Sequence, residues 1–101
     1  MQDLRFEWDQ RKNVHNQRKH GVSFEEAETV FLDDQALLLD DPDHSGRENR
    51  ENRFVLLGLS AAVRVLVVCH CYRASDNVIR LISARKATAI ERKGYVERWR
   101  R

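Results

Sequence analysis

The stretch at residues 53–84, RFVLLGLSAAVRVLVVCHCYRASDNVIRLISA, decides the architecture. It holds three β-rich runs, Arg53–Leu59, Arg64–Tyr72 and Asn77–Ala84. The breaks between them, Ser60-Ala61-Ala62 and Ala74-Ser75-Asp76, are short enough for hairpin connections. Short links favour antiparallel neighbours, because a parallel pair needs a longer crossover. Working outward, Ala36–Asp40 reads as a short strand ahead of the turn-rich Asp41-Pro42-Asp43-His44-Ser45-Gly46. Asp3 to Trp8 alternates as a half-buried strand, with Leu4, Phe6 and Trp8 on one face and Arg5 and Glu7 on the other. Asp9 is placed to cap a helix from Gln10 to His20 that Gly21 stops, and Val14 is its only aliphatic residue. Ser23 and Glu26 form a capping box for a second helix, whose apolar stripe is Phe24, Ala27, Val30 and Phe31. Thr88 and Glu91 form another, opening a terminal helix that runs to about Arg98. The predicted order is β-α-α-β-β-β-β-α. That is a single α+β domain over residues 1–101, a twisted antiparallel sheet with flanking helices.

Composition narrows the function. At 101 residues, 42% apolar and 34% charged, the chain builds one modest core under a heavily charged surface. Its longest apolar run, Val65–Cys69, falls far short of the roughly 18–20 residues of a membrane span. The opening MQDLRFEWDQ has no apolar stretch after a basic start, so a cytoplasmic protein is expected. Cys69 and Cys71 share one face of a strand and are too few for a disulfide scaffold. They form no Cys-x-x-Cys pair, and His15, His20, His44 and His70 show no ligand spacing, so neither metal nor cofactor is expected. Glycine-rich phosphate loops and Gly-x-Ser-x-Gly elbows are missing too, which removes nucleotide hydrolysis and acyl transfer. Charge is split. Residues 1–51 hold seven Lys/Arg against thirteen Asp/Glu, a net of −6, and residues 52–101 hold eleven against three, a net of +8. Such asymmetry points to contact with a polyanion, or to halves that neutralise each other within the fold.

The basic residues carry the chemistry. By unbroken strand alternation Arg80 shares an apolar face with Val78, Ile82 and Ala84, so it must be paired or wait for an anion. Arg85 then falls on the opposite face, near the terminal helix, and Arg53 opens another strand. From Arg85 onward seven Lys/Arg face two acids, with Tyr95 and Trp99 interleaved. Of these, Lys86, Arg92, Lys93 and Arg98 are candidate RNA contacts, because RNA offers phosphates to pair and bases to stack. Lys19-His20-Gly21 closes the first helix, and His44 occupies the Asp-His-Ser loop. Histidines, a tyrosine and several arginines could cleave RNA through its own 2′-hydroxyl. A base takes the proton, arginines stabilise the pentavalent phosphate, and an acid protonates the leaving oxygen. The rivals are a binding module whose arginines only grip phosphates, and a co-repressor acting through a DNA-binding partner.

Several motifs in order resemble one family. They are Phe6-Glu7-Trp8-Asp9, Arg18-Lys19-His20-Gly21-Val22-Ser23-Phe24-Glu25-Glu26-Ala27, Asp43-His44-Ser45, Glu51-Asn52-Arg53, Ile79-Arg80-Leu81-Ile82-Ser83-Ala84-Arg85-Lys86-Ala87, Glu91-Arg92 and Tyr95. Together they are similar to the BrnT toxins of bacterial type II toxin–antitoxin systems. The resemblance implies a RelE-like ribonuclease fold and a metal-free, growth-arresting cleavage of RNA. It implies a BrnA-type antitoxin with a ribbon-helix-helix domain, a heterotetramer with that dimeric antitoxin, and repression of the shared operon, with DNA bound only through the antitoxin. Carried over residue by residue, it selects Lys19, His20, His44, Arg53, Arg80, Arg85 and Tyr95 as catalytic candidates.

Overall fold

The computed structural model describes residues 4–40, 53–73 and 77–98, so His44 and Trp99 lie outside the described residues. Its elements are β1 (Arg5–Glu7), α1 (Gln10–His20), α2 (Phe24–Glu28) running into a 3₁₀ turn at Thr29–Leu32, β2 (Leu37–Asp40), β3 (Phe54–Leu59), β4 (Val65–Arg73), β5 (Val78–Lys86) and α3 (Ala89–Arg98). The strands form one sheet in the order β1-β5-β4-β3-β2. From β2 to β5 each neighbour is antiparallel. The wholly antiparallel sheet expected above is corrected at β1, which lies parallel to β5 with Arg5 opposite Val78 and Glu7 opposite Arg80. Most of the chain separates these two strands, so link length carries no information about their relative direction.

A second correction concerns β5. Cys69 pairs with Ser83 but His70 pairs with Leu81, so Ile82 is an extra residue, a β-bulge. Before the bulge the odd residues Ile79 and Leu81 are buried against the helices, and after it the even residue Ala84 is. Arg80 and Arg85, five apart in sequence, therefore lie on the same face of the sheet, opposite that of Ala84. An alternation argument assumes one residue per step, and a bulge breaks that assumption.

The inner layer packs Val22, Phe24, Ala27 and Val30 against Leu56, Leu66, Val68, Ile79, Leu81 and Ala84. Gly58 lies where the 3₁₀ turn comes closest. A Cβ there would stand 2.8 Å from Val30 Cγ1 and 2.9 Å from the Ala36 Cβ. On the other face Tyr95 of α3 covers Leu57 and Val67. Helix ends follow the predicted chemistry. Asp9 accepts from the Arg11 and Lys12 N–H groups, and Gly21 adopts φ 71° while its N–H reaches the Gln17 carbonyl. Ser23 caps α2, but Glu26 turns away from the box to pair with Arg64 and accept from the Ser60 hydroxyl.

α1 docks without an apolar stripe. Val14 is exposed, and the buried residues are Asn13 and Asn16. Asn16 Nδ2 donates to the Val22 and Ala84 carbonyls, both at 2.8 Å, and its Oδ1 accepts from the Ala84 N–H at 3.1 Å. One side-chain amide thus takes both peptide groups of Ala84, as an added strand would, along the stretch of β5 beyond its pairing with β1.

His70 is fully buried among the rings of Phe31, Phe54 and Tyr72. Burial pushes its imidazole below the usual histidine range, against the pull of the Val68 carbonyl 3.2 Å from Nδ1. The unfolded chain takes up this proton near pH 6.5 and the folded one only at lower pH. The stability contributed by neutral His70 is therefore complete above about pH 6.5 and is lost as the pH falls from there toward the folded value. The melting temperature is expected to drop between pH 7.5 and 5.5, and to drop less in His70→Leu. Equal drops in the two proteins would remove His70 as the cause.

Candidate nucleic-acid interface

The sheet face opposite α1 and α2 is built in rows, each two residues or about 7 Å from the next. One row runs Glu7, Arg80, Cys71, the next Ser83, Cys69, Val55, Leu39, and the third Arg85, Val67, Leu57, Leu37. α3 crosses over the third row through Tyr95, while Cys69, Val55 and Ser83 of the middle row are half-exposed. Arg80 and Arg85 bracket Ser83, their backbones about 13 Å apart by strand geometry. Arginine side chains reach about half that distance, so both guanidiniums can attend one anion seated over Ser83.

Each arginine is held by a carboxylate. Arg80 Nη1 donates to Glu7 Oε2 at 3.1 Å, and the same oxygen lies 3.4 Å from Arg73 Nε. Arg85 donates to both oxygens of Glu91, at 2.8 and 3.0 Å. Glu91 Oε1 also accepts from the Thr88 N–H, while the Thr88 hydroxyl accepts from the Glu91 N–H, a complete reciprocal box. The Arg85 guanidinium, aided by the Thr88 N–H and outweighing burial, holds the Glu91 carboxyl down at about 2. The pair stays ionised throughout the neutral range, so the orientation of Arg85 is independent of pH there.

Lys19 and His20 lie in the last turn of α1. They follow Asn16 by three and four residues and so share its side of α1, about one turn further along. Arg64, at the start of β4, donates to the Gly21 carbonyl at 3.2 Å, which puts the C-terminal end of α1 beside the Lys86 end of β5. The last turn of α1, with Lys19 and His20, therefore lies at the end of β5 that carries Arg85 and Lys86, while Arg80 lies toward the other end. Arg53 directly precedes β3 and, by the alternation through Val55 and Leu57, falls beside the Arg80 row.

Tyr95 has a different setting. It is 2% exposed, and its hydroxyl donates to Asp33 Oδ2 at 2.5 Å, pinning α3 to the turn before β2. Burial pushes the Asp33 carboxyl up, but the hydrogen bonds from Tyr95 and the Leu59 and Gln35 N–H groups outweigh it and hold the group low. Arg92 and Lys93 line a depression of ≈ 300 Å³ on α3 with Ala89, Val96 and Glu97, and Arg98 donates to the Gln35 carbonyl. Arg73, absent from the sequence candidates, stands on the Arg80 face at the exposed end of β4, where charge alone marks no residue out. Among the described residues no group of three or more His, Cys, Asp or Glu side chains is placed to hold a metal ion, and no helix is long and apolar enough to cross a membrane.

Comparison with known proteins places this geometry. A family model described as the ribonuclease toxin BrnT of type II toxin–antitoxin systems matches residues 8–91. The 1.1 Å crystal structure of the Brucella abortus ribonuclease toxin BrnT is similar in fold, with a TM-score of 0.59 at 19% sequence identity, covering 87% of this chain and 99% of that one. The comparison with curated proteins gave no match.

Proposed function

Because the chain belongs to the BrnT family of ribonuclease toxins of type II toxin–antitoxin systems, we propose that it is a RelE-like toxin, residues 1–101 forming one domain, that cuts RNA without a metal and thereby arrests translation and growth. One observation carries this reading. The bulge at Ile82 puts Arg80 and Arg85 on one face with Ser83 between them, each oriented by a carboxylate. In the cleavage a base removes the 2′-hydroxyl proton, and the 2′-oxygen attacks the adjacent phosphorus. The arginines stabilise the added negative charge, and an acid protonates the departing 5′-oxygen. In this reading His20, with Lys19 beside it in the last turn of α1, exchanges these protons. The products are a 2′,3′-cyclic phosphate and a 5′-hydroxyl.

Membership of a type II family implies an antitoxin partner. The reading extends this to a BrnA-type ribbon-helix-helix antitoxin whose dimer joins two toxin chains in a heterotetramer that binds operator DNA through the antitoxin, in the cytoplasm. The test is cleavage of RNA by purified, partner-free protein in EDTA, with the fragment ends identified. Cleavage that survives the chelator and leaves cyclic phosphate is expected. Fragments ending in 3′-hydroxyl and 5′-phosphate would overturn the 2′-hydroxyl mechanism. RNA bound but left intact, both free and on translating ribosomes, would replace the nuclease with a binding module.

A further inference from the structure

Both arginine–carboxylate pairs lie on one face, but they are not equivalent. Arg85 and Glu91 make a two-pronged, self-contained pair, and Glu91 is also committed to the start of α3. At the other end a single oxygen of Glu7 serves both Arg80 and Arg73. Arg5 joins them. It occupies the same face of β1 as Glu7, and its row runs Arg5, Val78, Arg73, with the outer two about 10 Å apart. Arg53 flanks the corner on the β3 side. Among the described residues, four arginines thus share this end of the face with one carboxylate, Glu7.

Planar guanidinium forks recognise phosphodiesters through paired N–H donors, and a surplus of them on a sheet face favours a polyanion over a single carboxylate. We propose that Arg5 and Arg73 form a phosphate-binding corner beside Arg80 that holds the RNA backbone beyond the bond being cut. Glu7 is its counterweight, orienting two guanidiniums and limiting their grip. This rests on the RNA-cleaving reading. It makes Arg5 and Arg73 binding residues, remote from the reacting atoms, and it gives the face a direction, with anchorage at the β1 end and proton transfer at the Lys86 end.

The test uses the full chain and a fully 2′-O-methylated RNA oligonucleotide, which has no 2′-hydroxyl to attack, with binding read by fluorescence anisotropy at several salt concentrations. The Arg5→Ala/Arg73→Ala double variant is expected to bind about tenfold more weakly and to lose about one to two from the salt slope. On cleavable RNA the loss falls on KM, with unchanged fragment ends. Lysine at both positions restores the salt slope but only part of the affinity, and Glu7→Gln tightens binding severalfold. These residues are exposed or half-exposed, and circular dichroism verifies that each variant folds. Wild-type affinity and slope in the double variant, or weaker binding by Glu7→Gln, would overturn the proposal. Oligonucleotide binding that depends on Arg5 and Arg73 in a protein that cuts no RNA would sustain the corner and sink the nuclease.

Discussion

Arg80→Ala and Arg85→Ala are each expected to lower kcat for RNA cleavage by about a hundredfold to a thousandfold while the protein remains folded. The magnitude is that of removing one preorganised donor aimed at developing negative charge. A guanidinium already oriented by Glu7 or Glu91 reorganises little as the phosphorus gains its fifth oxygen, so its loss falls on the transition state rather than on substrate binding. Both ion pairs are partly exposed, at 32% and 40% for Arg80 and Glu7 and 42% and 33% for Arg85 and Glu91, so breaking either costs little stability. Lysine restores charge but not the two-pronged contact, and Arg85→Lys should recover only a fraction of the rate. Single-turnover cleavage beside thermal melts makes the measurement. A rate within threefold of wild type in a folded Arg80→Ala protein would remove Arg80 from the catalytic set.

The second large effect concerns a residue that carries no charge. Asn16→Leu is expected to destabilise the protein by about 3 kcal/mol or more, since it strands the Ala84 N–H and C=O and deprives the Val22 carbonyl of a donor, at roughly 1–3 kcal/mol for each buried unpaired group. At about 4 °C or more per kcal/mol for a chain of this size, the melting temperature falls by about 12 °C or more. Val14→Ala, on the exposed side of the same helix, should cost no more than about 0.5 kcal/mol. Because Asn16 fixes α1 to the edge of β5, its loss should also reduce cleavage by displacing His20 from the Arg85 end. Melting curves for the two variants, recorded side by side, decide the matter. Nearly equal melting temperatures would show that the Asn16 amide does not hold the helix.

Local rules made much of this legible. Asp9, Gly21, Ser23 and Thr88 mark helix ends because their roles depend only on the residues beside them. The strands appear within two residues of their predicted limits, since alternation and short links are local as well. What escaped depends on distant pairing. The direction of β1 is set against a strand at the far end of the chain, and the extra residue Ile82 shows itself only when β4 is laid beside β5. The packing of α1 depends on distant groups as well. Asn13 and Asn16 are buried, and their amides carry α1 where aliphatic residues ordinarily would. At the site, strand alternation and the family motif single out Arg80 and Arg85, but alternation puts them on opposite faces. Tyr95, a catalytic candidate that the resemblance selects, has its hydroxyl engaged with Asp33.

The bulge also bears on how relatives of this chain should be aligned. Five sequence positions separate Arg80 from Arg85, but the sheet counts only four steps between them, the fifth being absorbed at Ile82. A homologue lacking that residue would carry its two arginines four apart and still present both on the same face. One that kept all nine residues in a regular ladder would carry an identical motif and split the pair. Gaps in this strand are therefore best placed by which side chains are buried, and a spacing pattern read literally would discard relatives that keep the pair on one face while retaining ones that split it.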